Sequence, residues 1–336
     1  MLHKINELTL ENFKIKLKLL FFYFILIIIW DCASVKLVDQ PEFSENAYEL
    51  YAQALNYYEA RDYDKALKYV DSAIHNNANI AKFHQLKAWI HRDRVEYYDA
   101  LDAYTAVLSL QSFNPDVLKE MAGIYSLQGK NLEAVQLLRK SYGQSPNRLD
   151  LLLDIAENYL VARKYELALN NVQLYSSLKK NNLDPRYDKI LAVYHYHQFN
   201  YGQAVSYFNK CINRLSLNRE EIILLLKSYN HLNDLDALYG LLIGPEQNKL
   251  TSGDLSMFRG IYYYKLNKYQ DAEGQFNLAF KQDVPDPLIY YYYGKTLIEL
   301  GENEKAIRML KKFREEAEQP ELEPRMKSDL ILQDLK

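Results

Sequence analysis

Eight alanines divide most of this chain into nearly equal lengths. They are Ala66, Ala100, Ala134, Ala168, Ala204, Ala237, Ala272 and Ala306, with spacings of 34, 34, 34, 36, 33, 35 and 34 residues. A chain with such a period stacks like units end to end instead of folding around one centre. With the alanine of each unit numbered 20, other residues recur at fixed offsets. The unit from Pro115 carries Leu118, Met121, Ala122 and Tyr125 at positions 4, 7, 8 and 11. It continues with Gly129, Ala134, Leu138 and Pro146 at positions 15, 20, 24 and 32.

The first unit repeats this with Leu50, Ala54, Tyr57, Tyr63, Ala66, Val70 and Ala73, and the fourth with Leu152, Ile155, Ala156, Tyr159, Tyr165, Ala168 and Val172. The seventh has Gly260, Tyr263, Tyr269, Ala272 and Phe276, and the eighth Tyr290, Gly294, Gly301, Ala306 and Leu310. Small residues at 8 and 20 let two helices approach, and large residues at 4, 7, 11 and 24 fill the space around that contact. Proline near a unit's end stops the second helix. Together these offsets resemble the tetratricopeptide repeat pattern over roughly residues 47–320. The resemblance implies an all-α fold, a right-handed α-α superhelical solenoid of about eight helix pairs with a concave surface offered to other proteins. Two units depart from the pattern. The second has His84, Lys87 and His91 at positions 4, 7 and 11, and in the sixth Tyr229 precedes Ala237 by eight residues against nine elsewhere. The sixth also runs into Gly244-Pro245, so a shortened or irregular pair is expected there.

Residues 321–336, with Met326, Leu330, Ile331 and Leu335 at helical spacing, read as a final helix covering the last apolar face. A net charge of −3 without a basic stripe argues against a nucleic-acid partner. No cofactor or metal motif is present. Gly294-Lys295-Thr296 ends like a phosphate-binding loop, but Ile289 stands where the motif needs glycine, and position 8 already demands a small residue. His195 and His197, two apart on a helix, point in different directions and make poor joint ligands. Cys211 falls at a packing position of the fifth unit. No catalytic constellation is expected.

The amino terminus has a different character. Lys4, Lys14, Lys16 and Lys18 outweigh Glu7 and Glu11, and Leu19–Trp30 is an unbroken apolar run ending at Asp31-Cys32. Twelve helical residues, at about 1.5 Å each, fall short of a hydrocarbon core of roughly 30 Å, which favours a secretory signal over a spanning helix. Cys32, followed by Ala33-Ser34, resembles the lipid-acceptor cysteine of bacterial lipoproteins, although Trp30 and Asp31 stand where small residues are usual. Residues 1–31 are therefore expected to be a signal peptide or membrane anchor, with lipidation at Cys32 and a tether over 32–46. The localisation that follows is exported and membrane-tethered in a bacterial cell envelope, on the periplasmic side or at the outer membrane.

In tetratricopeptide arrays the groove is lined by positions 2, 5, 9 and 12 of each first helix. The resemblance therefore nominates Tyr48, Tyr51, Tyr58, Trp89, Arg92, Lys119, Tyr196, Tyr264 and Tyr291 as partner-binding residues. Tyrosine, tryptophan and arginine are frequent binding hot spots. Tyr51 and Leu55 occupy the positions where chaperone-binding members carry lysine and asparagine, so a carboxylate clamp is not expected in the first unit. The function implied is a non-catalytic scaffold that binds protein partners or peptide segments. The rival reading is a ligand-binding component of an envelope transport system, with the aromatic groove holding a small molecule or glycan.

Overall fold

The structure, a computed structural model, describes residues 45–282, 284–317, 327–329 and 331–333. The expected signal or anchor, Cys32 and nearly all of the tether lie outside these residues. The described residues form sixteen α-helices and one short 3-10 helix, with no strand. The chain divides into two compact units between Ser112 and Phe113.

The first unit holds two helix pairs: α1 (Glu45–Glu59) with α2 (Tyr63–Asn76), and α3 (Ala81–Asp93) with α4 (Tyr97–Leu110). The second holds six. These are α5 (Pro115–Leu127) with α6 (Asn131–Gln144), α7 (Asp150–Val161) with α8 (Tyr165–Lys179), and α9 (Pro185–His197) with α10 (Tyr201–Cys211). There follow α11 (Arg219–Leu232) with α12 (Leu235–Ile243), α13 (Ser252–Lys265) with α14 (Tyr269–Phe280), and α15 (Leu288–Glu299) with α16 (Asn303–Glu316). The 3-10 helix Pro245–Lys249 follows α12. Residues 327–329 and 331–333 are helical, and Leu332 is buried in the core of the last pairs.

The period has a backbone cause. Position 15 of every unit adopts a left-handed φ: Arg61, Val95, Gly129, Arg163, Phe199, Asn233, Asn267 and Gly301. In each turn the following amide donates to the carbonyl five residues back, as in Asp62 to Tyr57 (2.9 Å) and Glu302 to Leu297 (2.8 Å). This ends each first helix by a six-to-one bond that fixes where the second begins. Several first helices are then started by side chains. Asn114 accepts from the Val117 amide ahead of Pro115, and Asn218–Glu221 and Thr251–Asp254 form reciprocal capping boxes.

Seven marker alanines, all except Ala237, are wholly buried. At position 8, Ala54, Ala88, Ala156 and Ala192 are equally closed. In the seventh and eighth units the residue at 24 comes closer still, and position 8 is glycine. A Cβ added at Gly260 would sit 2.7 Å from the Phe276 ring, and one at Gly294 2.8 Å from Leu310. Each fully buried Leu or Phe of this interior contributes about 1.5–3 kcal/mol of burial free energy.

The sixth pair corrects the sequence reading. Ala237 is only half-buried, and the wholly buried register residue is Leu238, nine residues after Tyr229. The spacings on either side become 34 and 34, so the unit begins at Arg219. Its two close-contact positions hold Leu226 and Leu238, both wholly buried, in place of small residues. The backbones stand further apart, and α12 lasts only nine residues before Gly244-Pro245 ends it. The expectation of an irregular sixth pair holds, for this reason.

Candidate functional site

The first unit gathers five of the nominated residues on the face formed by α1 and α3. Tyr48 and Tyr51 lie against Phe83, at ring-centroid distances of 5.4 and 5.1 Å. The Lys82 ammonium lies 4.2 Å from the Tyr48 ring centre and 5.2 Å from that of Tyr51, a cation–π arrangement. Two turns further on, Tyr58 stacks on Trp89 at 6.4 Å. The Tyr58 hydroxyl donates to Asp93 at 2.8 Å, and Arg92 pairs with the other Asp93 oxygen at 2.9 Å. Burial, then the hydrogen bond to Asp93, lifts the Tyr58 phenol to about 12. Tyr48, Tyr51, Tyr58, Trp89 and Arg92 are all half-buried: anchored at one edge, with part of their surface facing solvent. Nearby, His91, Glu96 and Asp99 bring ligand atoms within 4.8 Å of one another. Glu96 is already engaged by His91 at 2.7 Å and by Arg94 at 2.8 Å, so the trio ties a turn and is a poor metal centre.

The corresponding face of the second unit is built from ion pairs that run from one helix pair to the next. Lys119 of α5 meets Asp150 and Asp154 of α7, each at 2.8 Å. Arg186 of α9 reaches back to Asp154 at 2.7 Å. Lys189 holds Glu157 at 2.9 Å and Glu221 at 3.2 Å. Arg219 grips the buried Asp254 with two bonds of 2.7 Å, and Lys227 meets Asp286 at 2.9 Å. Burial opposes the Lys189 charge, but Glu157 and Glu221 outweigh it and hold its pKa above the ordinary lysine value. Burial also opposes the Asp150 charge, and hydrogen bonds from Arg148 and Lys119 overcome it, holding this carboxyl well below the usual range. A reciprocal buried pair, Asn230 with Tyr292 at 2.9 and 3.1 Å, joins the sixth pair directly to the eighth. Hollows are present on this face among the described residues. One of about 440 Å³ is lined by Glu157, Leu160, Lys189, Val193 and Leu224, and one of about 520 Å³ by Tyr196, Arg219, Lys227 and Asp286 among others.

The other nominated residues divide. Lys119 is an ion-paired member of the ladder. Tyr264 is half-buried, with Lys295 5.1 Å from its ring centre. Tyr196 and Tyr291 are 1 % and 4 % exposed, Tyr291 packing on Phe313 at 5.3 Å, so their bulk belongs to the repeat interior. Sequence reasoning passed over Asp150, Asp154, Glu157, Arg186, Arg219, Asp254 and Asn230, whose partners lie 31 to 62 residues away.

A family model of the tetratricopeptide repeat matches residues 51–115 and 259–319. The helix pairs, their register and this match show tetratricopeptide repeats in the chain and an all-α repeat solenoid. Curated proteins yield no match. Among solved structures, the chain is similar to a tetratricopeptide repeat protein from Parabacteroides merdae, at 17 % identity, covering 86 % of this chain and 98 % of that one with a TM-score of 0.46. It is also similar to pilF of Pseudomonas aeruginosa, at 19 % identity, over 59 % of this chain and 90 % of that one with a TM-score of 0.49. A third likeness, to the APC/C hetero-tetramer Cut9-Hcn1, has 12 % identity, covers 79 % of this chain and 52 % of that one, and reaches a TM-score of 0.54. At 12 % identity this last likeness concerns the fold alone.

Proposed function

We propose that this protein is a non-catalytic interaction scaffold whose first two repeats bind a partner protein on the face of α1 and α3. The observation that carries this reading is the set of half-exposed rings, Tyr48, Tyr51, Tyr58 and Trp89, held in fixed positions with Lys82 and Arg92 beside them. Such rings present rigid apolar surface with polar edges, so contact with them buries area while ordering few rotors. The test is capture of partners by full-length protein carrying Tyr51→Ala or Trp89→Ala, with Lys68→Ala on α2 as control. Each ring should cost at least about 2 kcal/mol, or nearly thirtyfold in affinity, with helical content unchanged. Capture at native levels by both variants would remove this face as the binding site.

The same proposal places the repeats at a bacterial envelope membrane, held by the segment ending at Cys32. It is supported by the basic start, the apolar run Leu19–Trp30 and the cysteine that closes it. Among the described residues no helix is long and apolar enough to cross a membrane. Intact-mass measurement of membrane-extracted protein should show loss of residues 1–31 and added acyl chains. A mass matching the chain from Met1 would contradict lipidation.

A further inference from the structure

Cations on the first-helix face of the second unit follow one rule as far as the sixth pair. Lys119, Arg186, Lys189, Arg219 and Lys227 each have a carboxylate within 2.9 Å. The seventh and eighth pairs break that rule. Lys265, closing α13, reaches only neutral oxygens, Asn233 Oδ1 at 3.0 Å and the Asn230 carbonyl at 3.4 Å. Lys295 of α15 lies against rings, 5.1 Å from the centre of Tyr264 and 5.5 Å from that of Tyr291. Both lysines are half-buried, and neither forms an ion pair among the described residues. Lys327, on the C-terminal helical segment, adds a like charge to their surroundings. Burial first, then repulsion from Lys295 and Lys327, lowers the Lys265 pKa. Burial and then Lys327 lower that of Lys295, with Glu299 opposing in part.

Half-buried ammonium groups without an ion-pair partner are a standing cost to the fold, and an incoming anion relieves it. We propose that Lys265 and Lys295, beside the half-exposed ring of Tyr264, form a second binding site that takes the carboxylate side chains of an acidic segment in a partner protein. The chemistry favours a chain of carboxylates over one compact anion. The two charges come from two different helices, and each is a single ammonium on a flexible stem, with neither a guanidinium fork nor a nest of backbone amides to encircle a phosphate. Glu299, beside the site, repels a compact dianion more than it repels singly charged groups spread along a peptide. The Tyr264 ring offers apolar surface to the methylenes of glutamate. This site shares no residue with the α1/α3 face, so either can fail without the other.

The test uses the full-length chain and an end-capped hexaglutamate peptide carrying a neutral dye, followed by fluorescence anisotropy at low salt, with capped hexaglutamine as control. Capping removes the terminal carboxylate, so only side chains can bind. Hexaglutamate should bind and hexaglutamine should not. Lys265→Gln and Lys295→Gln should each weaken binding about tenfold, the loss of one charge-assisted hydrogen bond. Lys312→Gln, on the exposed side of α16, should leave affinity unchanged. Thermal unfolding guards against misfolded variants: Lys295→Gln should match or exceed the wild-type midpoint, since it removes repulsion. Absence of hexaglutamate binding, or binding indifferent to both glutamine variants, would overturn the proposal. So would displacement of the peptide by inorganic phosphate at the peptide's own concentration, which would assign the lysines to a small anion.

Discussion

In the first two repeats the face of the first helices carries Tyr48, Tyr51, Tyr58 and Trp89, partly exposed, whereas from Lys119 to Asp286 the equivalent face carries charges that already hold one another. The two surfaces share a backbone and a register, and they differ in the free energy left for a partner. An ion-paired face must be desolvated and unpaired before it can bind anything, and new contacts often do no more than offset that loss. An aromatic face gains by every ring edge it covers. The lesson is that one repeat scaffold can be closed along part of its length and open along another by side-chain choice alone. The unpaired lysines of the last two pairs mark a third condition, in which charge is gathered and left unanswered.

The sharpest way to break this contrast is to cut matched arginines. Arg219→Ala strands Asp254, whose side chain is 1 % exposed, and should destabilise the protein by about 3–5 kcal/mol in denaturant unfolding. Arg92→Ala, which loosens a partly exposed pair, should cost no more than about 1 kcal/mol. Equal losses would mean that the ladder is no more internal than the open face. The same pair gives the second unit an acid limit. Burial raises the Asp254 carboxyl, but the bonds from Arg219 and Thr251 prevail and hold it below the ordinary value. A carboxylate depressed in the folded state adds stability that is complete above its unfolded pKa and fades as pH falls toward the folded one. Below about pH 4, amide exchange in α11 and α13 should therefore quicken.

A somewhat smaller effect is expected at the sixth pair, where Leu226 and Leu238 hold α11 and α12 apart. Leu238→Ala restores the repeat's usual residue yet should destabilise by about 2–5 kcal/mol, because the surroundings are built around leucine. A neutral or stabilising result would show that the wide spacing is set elsewhere. The reverse change, Ala134→Leu in a regular pair, should cost about 1–3 kcal/mol by overpacking.

The smallest effect concerns the open unit's backbone. Val95, with φ of 65° and 64 % exposed, is a β-branched residue in a left-handed turn. Val95→Gly should stabilise by about 0.5–1 kcal/mol, relief of strain exceeding the added chain entropy. The aromatic face should bind as before. A loss of stability would show that the Val95 side chain makes contacts that outweigh its strain.

The architecture was legible because seven of the eight marker positions tolerate only a small side chain, and that demand is written in the residue itself. Ala237 misled because alanine was taken as the mark, while the distance from Tyr229 pointed to Leu238. The left-handed turns were hidden, since Arg61, Val95, Arg163 and Phe199 carry none of glycine's signal. The aromatic cluster was nominated because the resemblance to tetratricopeptide arrays puts positions 2, 5, 9 and 12 of each first helix on the groove. The same rule nominated Tyr196 and Tyr291, which neighbouring helices then cover. The ion ladder escaped notice because each of its charges, read singly, looks like part of a solvated face. Only the stacking of successive units brings residues about 30 apart into contact.

The central claim, that the open face lies in the first two repeats and the paired face is closed, has a direct test. A photo-crosslinking residue is placed at position 9 of a first helix, at Leu55 in one variant and at Val193 in another, each in the full chain in its native cell. Both side chains are half-exposed and differ mainly in whether rings or ion pairs surround them. The expected result is strong partner adducts from position 55 and few or none from position 193. Adducts from 193 with none from 55 would contradict the claim.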